Sequence, residues 1–207
     1  MSDAVAGLLM AGGQSRRMGG GDKCLRLLGG RTILARIIDR VRPQVGPMIL
    51  NAAGDPARFA DSGLPVVPDV VEGFAGPLAG VLTGLSWARE NAPGCRWVAS
   101  FACDAPFVPG DLVARLIAAV EADGADMACA HSGGRDHPVF GLWPLDLTDD
   151  LRRAVIDQDV RKVDVWTARF RLARARYGTD PVDPFFNVNR PEDLTEAENL
   201  LAASPGA

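Results

Sequence analysis

The chain is short of lysine, of histidine and of paired cysteine, and each scarcity closes off a class of protein. Only Lys23 and Lys162 among the 22 basic residues are lysine; the rest are arginine. Set against 26 acidic residues they leave a net charge of −4, whereas a nucleic-acid or membrane-surface binder usually carries a basic excess. Cys24, Cys95, Cys103 and Cys129 form no C-x-x-C pair and no regular spacing. That argues against a zinc site or a disulfide scaffold and for reduced thiols. His131 and His137, the two histidines, have no partner at metal-ligand or nucleophile–base spacing. No run approaches the ~18 apolar residues of a membrane span. The opening Met-Ser-Asp-Ala-Val-Ala-Gly-Leu carries an acid and no basic stretch of the signal-peptide kind. A cytoplasmic location is expected, with neither nucleic acid nor membrane as partner.

What is present suits a compact enzyme. At ~150 residues per domain, 207 residues predict one domain, over residues 1–203, with a disordered tail at 204–207. A hydrophobic fraction of 47% is enough for a core without staples. Apolar runs of strand length alternate with amphipathic stretches of helix length, which predicts an α/β domain with a mostly parallel sheet. Strands are expected at Val5–Met10, Pro47–Asn51, Pro65–Val67, Trp97–Cys103, Met127–Ala130, Val139–Trp143 and Arg171–Tyr177. Helices are expected at Thr32–Val41, Pro77 to about Asn91, Leu112–Ala122, near 145–157, at 160–167 and at Leu194–Ala202. Trp87, Trp97, Trp143 and Trp166 fall in these patterns as core, and Arg152, Arg153 and Arg161 as a solvated helical face.

The stretch Ala11–Lys23 follows the first strand directly and holds five glycines in 13 residues, with Arg16, Arg17 and Lys23. Glycines let backbone N–H groups curl round an anion, and ligands of open α/β sheets bind beyond the carboxyl ends of the strands. Neither familiar phosphate motif fits. A P-loop needs GxxxxGK[ST], and Asp22 and Cys24 flank this lysine; the GxGxxG fingerprint is missing too.

The string Met10-Ala11-Gly12-Gly13-x-Ser15-x-Arg17-Met18-Gly19…Asp22-Lys23 resembles the signature loop of nucleotidyltransferases related to molybdenum cofactor guanylyltransferase. Further matches follow in order: Asn51, Asp69 with Gly76-Pro77-Leu78-Ala79-Gly80, Cys103-Asp104-Ala105-Pro106, Arg135-Asp136-His137-Pro138-Val139 and Asn187-Val188-Asn189-Arg190-Pro191-Glu192-Asp193. Two departures are visible: Met10 replaces the usual leucine, and the arginine often found just after Asn51 is missing. The resemblance implies a three-layer α/β/α, Rossmann-like nucleotidyltransferase that transfers GMP from GTP to molybdopterin with Mg²⁺ and releases pyrophosphate. It implies nucleotide binding by Met10, Ala11, Gly12, Gly13, Lys23, Asn51, Asp69, Gly80 and Asp104. Lys23, Asp104 and Arg17 are the expected catalytic groups, with Asp104 as metal ligand. His137, Asn187 and Asn189 are expected on the acceptor. A monomer is expected, whose further partners would be molybdoenzyme apoproteins and cofactor-biosynthesis proteins.

Several of these residues have plainer readings by pattern alone. Asp104 suits a turn or a helix cap before Pro106, and Asp69 an ordinary loop. His137 suits a residue that orders the strand at Pro138, and Asn187 and Asn189 an Asn-rich turn before Pro191. Rival functions are a cytidylyl- or sugar-nucleotidyltransferase with the same loop and a non-catalytic nucleotide sensor or cofactor chaperone.

The retained lysine supplies a test. Lys23→Arg keeps the charge but puts a planar fork where a compact ammonium would meet phosphates. The expected loss in kcat/KM is at least about tenfold, or ~1.4 kcal/mol of transition-state stabilisation. Wild-type kinetics in the variant would reduce Lys23 to a surface charge.

Overall fold

The structure, a computed structural model, describes residues 4–12, 22–71, 73 and 76–203. Gly13 and Arg17, with the rest of 13–21, and the expected tail at 204–207 lie outside the described residues. The strands are β1 (Val5–Met10), β2 (Leu27–Leu28), β3 (Arg31–Thr32), β4 (Met48–Asn51), β5 (Val66–Val67), β6 (Trp97–Ala102), β7 (Met127–Ser132), β8 (Arg135–Pro144) and β9 (Leu172–Arg176). The helices are α1 (Ile33–Val41), α2 (Pro77–Asn91), α3 (Leu112–Asp123), α4 (Thr148–Ile156), α5 (Val163–Thr167) and α6 (Pro191–Ala203).

Seven strands form one sheet in the order β5-β4-β1-β6-β8-β7-β9. Only β8 runs antiparallel to its neighbours. Parallel strands covered on both faces read as continuous apolar runs, and β1 does so because its residues alternate between two cores. Val5 and Leu9 pack with α1, α3 and α6, while Ala6 and Leu8 pack with α2, α4 and α5. The sheet therefore lies between two helical layers, and the mostly parallel α/β/α expectation holds.

Local chemistry explains the helix ends. Thr32 caps α1, its Oγ1 accepting from the Ala35 amide at 3.1 Å. The apolar spacing then buries Ile33, Leu34, Ile37, Ile38 and Val41. Pro77 takes the first position of α2, where a missing N–H costs nothing. Gly76 before it has φ +151°, a conformation reserved in practice for glycine.

The sheet departs from regularity where β8 meets β6 and β7. Cys129 faces Gly141, but the next residue, Ala130, faces His137, so residues 138–140 bulge out of the ladder. On the other side, pairing with β6 runs only from Trp97↔Pro144 to Ala99↔Leu142. Ser100 then substitutes for the missing ladder. Its buried Oγ donates to the Val139 carbonyl (2.6 Å) and accepts from the Gly141 amide (3.3 Å) and Trp143 Nε1 (2.8 Å). One hydroxyl thus uses its donor and both lone pairs.

Some expectations need correction. Residues 27–32 form a small hairpin, turning on Gly29 and Gly30 at φ +55° and +77°; two positive φ values are what a tight hairpin turn requires. A 3-10 helix at Pro56–Ser62 was likewise not expected. Strand β8 begins at Arg135, well before Val139, because Arg135 and Asp136 pair with β7. Helix α6 begins at Pro191, three residues before Leu194, since proline is well placed in a first turn. Arg161 is exposed in the loop before α5 and ion-paired with Asp159. Trp143 and Trp166 are fully buried, but Trp87 and Trp97 are only half-buried; Trp97 sits near the sheet's end, where the Arg96 guanidinium covers its ring.

The bulge gives a stability prediction. A Cβ at Gly141 would lie 2.7 Å from Trp143 Cε2 and 3.1 Å from the Pro138 carbonyl oxygen, and closer still to Trp143 Cζ2. Trp143 cannot retreat, being held by Ser100 and packed on Trp166. Gly141→Ala should cost about 1–3 kcal/mol, read as a lower urea midpoint with an unchanged m-value. An unaltered midpoint would show that the bulge yields freely.

Candidate functional site

A cavity of about 760 Å³ opens where β1, β4 and β6 end. Met10, Asn51 and Ala102, their last residues, all line it. The Ala11 amide donates to the Asn51 carbonyl (2.9 Å) and the Cys103 amide to the Met10 carbonyl (3.3 Å). These bonds carry the sheet's order one residue past the strands. Ala11 and Gly12 continue along the wall, and Asp22, Lys23 and Cys24 re-enter it.

Charge concentrates at Lys23. Its Nζ lies 3.1 Å from Asp104 Oδ2 and donates to Asn189 Oδ1 at 2.7 Å. The two charged side chains keep 21% and 23% of their surface, enough for a ligand to reach them. Asp104 follows β6 by two residues. Its carbonyl accepts from the Val188 amide at 2.8 Å, which docks the Asn187-Val188-Asn189 segment beside it. The Asp193 carboxylate, in the first turn of α6, accepts from the Asn189 and Arg190 amides at 2.7 and 2.8 Å and fixes that segment. The two asparagines part company: Asn187 lines the cavity, while Asn189 grips Lys23. Asn187 Oδ1 is buried without a hydrogen-bond partner among the described residues, an arrangement that buried acceptors rarely tolerate.

A second cluster lies on the far side of β1. The Asn51 amide donates to the Val67 carbonyl (3.1 Å) and to Asp69 Oδ1 (3.0 Å). Asn51 is thus spent on aiming Asp69, and Asp69 presents its carboxylate to the cavity. The Val70 amide donates to Thr83 Oγ1 (3.0 Å), tying this loop to α2. Gly80 is buried in α2 beneath the site. A Cβ there would fall 2.6 Å from Met10 Cε and 2.8 Å from Asn51 Oδ1, so Gly80 acts by letting α2 approach Met10 and Asn51.

The third wall is the bulge, with His137, Pro138, Val139 and Phe140. His137 is 8% exposed, its Nε2 lies 2.8 Å from Ser132 Oγ, and its ring stacks on Phe185 at 4.7 Å. Burial pushes its pKa below the ordinary value, with the nearby Arg135 charge acting the same way. Asp136 is gripped by Arg174, which holds its carboxyl below the usual carboxylate range, and by His131 Nδ1 at 2.7 Å. Ser132, Asp183 and the bulge escaped sequence reasoning, since they sit in ordinary strand and loop patterns. Gly76 and Pro77 at the start of α2 also line the cavity, and they stood in the recognised string without a role.

Among the described residues no three acidic, histidine or cysteine side chains gather as a metal cage. Lys23 and Asp104 meet in the cavity, and Asp22, Asp69, Arg135 and Asp136 also line it. The cavity lies at the strand ends of a mostly parallel sheet, where open α/β proteins bind their ligands. A family model described as "MobA-like NTP transferase domain" matches residues 7–170. The chain is 57% identical over 199 residues to the molybdenum cofactor guanylyltransferase of Bradyrhizobium sp. (strain ORS 278), covering 96% of this chain and 94% of that one. It is 54% identical to the protein of that name from Rhodopseudomonas palustris (strain HaA2), with coverages of 98% and 94%. Among solved structures it resembles the molybdopterin-guanine dinucleotide biosynthesis protein A of Archaeoglobus fulgidus, with TM-score 0.72, 22% identity and coverages of 96% and 99%. The chain belongs to the molybdenum cofactor guanylyltransferase family.

Cys24 and Cys103 lie at the cavity, but both are buried. Burial, reinforced by Asp22, pushes the Cys24 thiol up to about 12, and full burial raises the Cys103 thiol well above its ordinary value. Neither supplies a thiolate near neutrality. In the folded protein at pH 8, a disulfide reagent should label Cys24, Cys103 and the equally buried Cys129 only at the rate of structural opening, and rapidly after denaturation. A fast-reacting cavity thiol would contradict this burial.

Proposed function

We propose that this protein transfers GMP from GTP to molybdopterin, with Mg²⁺, giving the guanine dinucleotide form of the cofactor and pyrophosphate. The observation that carries the reading is the Lys23–Asp104–Asn189 cluster, lying between a hydrogen-bonding pocket at Asp69 and the bulged wall at His137. The cytoplasm is the setting, and the working unit is a monomer that passes its product to molybdoenzyme apoproteins or other cofactor-biosynthesis proteins.

Family membership and the position of the cluster support the following assignment. The backbone of Met10, Ala11 and Gly12 receives the phosphates, and family membership adds Gly13 to the nucleotide contacts and Arg17 to the catalytic groups. Lys23 lies against the same phosphates as a compact positive charge. A terminal phosphate oxygen of molybdopterin bonds to the α-phosphorus of GTP while the bond to pyrophosphate breaks. Such a transfer needs positioning and charge neutralisation more than a protein nucleophile, consistent with the suppressed thiols. Asp104 is the metal ligand. A single carboxylate fits Mg²⁺, which fills its other positions with phosphate oxygens and water. When bound, Mg²⁺ neutralises phosphate charge. Asp69 accepts from the N1–H and exocyclic amine of guanine, with Asn51 aiming it. Cytosine offers an acceptor where guanine has N1–H, so the same carboxylate would repel it. His137, Asn187 and Asn189 face the acceptor, and Gly80 supports the nucleotide side from below.

Incubation with GTP, Mg²⁺ and molybdopterin should release pyrophosphate and form the dinucleotide, and chelation should stop it. GTP–Mg²⁺ at about 100-fold above Kd should stabilise the fold by roughly 2.7 kcal/mol, with CTP and ATP giving much smaller thermal shifts. Equal shifts with all three would remove the guanine assignment and leave a nucleotidyltransferase of other specificity.

A further inference from the structure

The hydrogen bonds around Ser132 decide which nitrogen of His137 carries the proton. Ser132 has one hydrogen to give. Its Oγ lies 2.8 Å from Asp183 Oδ1 and 2.8 Å from His137 Nε2. Asp183 Oδ1 also accepts from the Phe185 amide at 3.0 Å, and a carboxylate has no hydrogen to offer. The Ser132 hydrogen therefore goes to Asp183, and Oγ must accept from His137, which puts the imidazole hydrogen on Nε2. No described residue hydrogen-bonds Nδ1, so in the neutral ring Nδ1 keeps its lone pair.

The ring cannot turn to change this. It stacks on Phe185, which itself packs against Phe140 at 4.9 Å and Tyr177 at 5.3 Å. His137 also lines the cavity, beside the apolar wall of Pro138, Val139 and Phe140. Arg135 and Asp136 line the cavity as well, but a lone-pair acceptor set beside the apolar stretch 138–140 suits a flat heterocycle bearing a ring N–H. It suits a phosphate poorly, since an ionised phosphate has acceptors of its own and no matching hydrogen.

We propose that Ser132 and Asp183 are positioning residues that lock His137 as the Nε2–H tautomer, so that Nδ1 accepts a hydrogen bond from a ring N–H of the pterin acceptor. This rests on the placement of the acceptor at the bulge. It adds a specificity device: the site selects a donor at one position of the ring and rejects an isostere with an acceptor there. Burial and Arg135, with a smaller push from His131, favour the neutral ring against the charge of Asp183 and a hydrogen bond to the Ser132 backbone; the neighbouring Asp136 is occupied by Arg174 and His131. Acidification through the depressed His137 pKa converts Nδ1 into a donor, so the acceptor KM should rise at low pH while the GTP KM does not follow it.

The chain has only two histidines, so long-range ¹H–¹⁵N correlation of ¹⁵N-histidine-labelled protein, with His131→Asn for assignment, reads the tautomer directly. The expected wild-type spectrum at pH 7 is neutral Nε2–H for His137. Ser132→Ala should give mixed tautomers and raise the acceptor KM at least about fivefold, with kcat and the GTP KM near wild type. Asp183→Ala removes the acceptor of the Ser132 hydrogen and should move both readouts in the same direction, which covers a misfolded Ser132→Ala. An Nδ1–H or imidazolium ring at pH 7 would overturn the proposal, as would an unchanged acceptor KM in both folded variants. The expected tautomer in a chain that turns over no pterin would instead overturn the acceptor assignment and leave the Ser132–Asp183 lock standing.

Discussion

The buried hydroxyl of Ser100 is the constraint on which the site's shape depends. Between Ala99 and the end of β6 the sheet stops pairing with β8, and three polar groups of β8 would be left in the core without partners. Ser100 Oγ satisfies all three. Each such group, left unpaired, would cost about 1–3 kcal/mol, so this single side chain makes the bulge affordable. With the ladder released, Pro138, Val139 and Phe140 swing into the cavity wall. Pro138 has no amide hydrogen and loses nothing by leaving the ladder.

Beyond the split, the ends of the parallel strands converge on a small number of charges. Lys23, Asp104 and Asn189 come from three segments far apart in the chain and meet within hydrogen-bonding distance. Two backbone devices make that meeting reproducible. The Val188 amide bonds the Asp104 carbonyl, and Asp193 fastens the Asn189 and Arg190 amides at the head of α6. The pattern N-x-N-R-P-x-D is therefore one mechanical unit. Asn187 lines the cavity, Asn189 holds Lys23, proline starts the helix, and the aspartate closes its first turn.

The two walls differ in how their polar groups are prepared. On the Asp69 side Asn51 spends both amide hydrogens on protein acceptors, which aims Asp69 as a pure acceptor. On the bulge side Ser132 and Asp183 orient His137 in a comparable way. In each case a buried, fully bonded partner determines what a cavity-facing group can recognise. That preparation removes orientational freedom before a ligand arrives, and binding then costs less ordering entropy.

Much of the frame was legible in the chain itself. The first strand, α1, α2 and β6 follow from hydrophobic period and proline placement, because those elements are held by local chemistry and a burial pattern of fixed repeat. The short hairpin at 27–32 and the 3-10 helix at 56–62 escaped because two-residue strands and a tight turn carry no period to detect. The ends of β8 were misread for a related reason: Arg135 and Asp136 look like loop residues until β7 and Arg174 pair with them. Lys23, Asp69, Asp104 and the asparagines were recognisable as residue types in a known order, since a short motif keeps its residue types and their sequence along the chain. Which of them touch, however, was decided only in three dimensions. That Asn51 serves Asp69, that Gly80 works by having no side chain, and that Ser132 sets the proton on His137 all depend on distances between segments remote in sequence. Spacing along a chain cannot encode those distances; they exist only once the sheet has fixed where each strand ends.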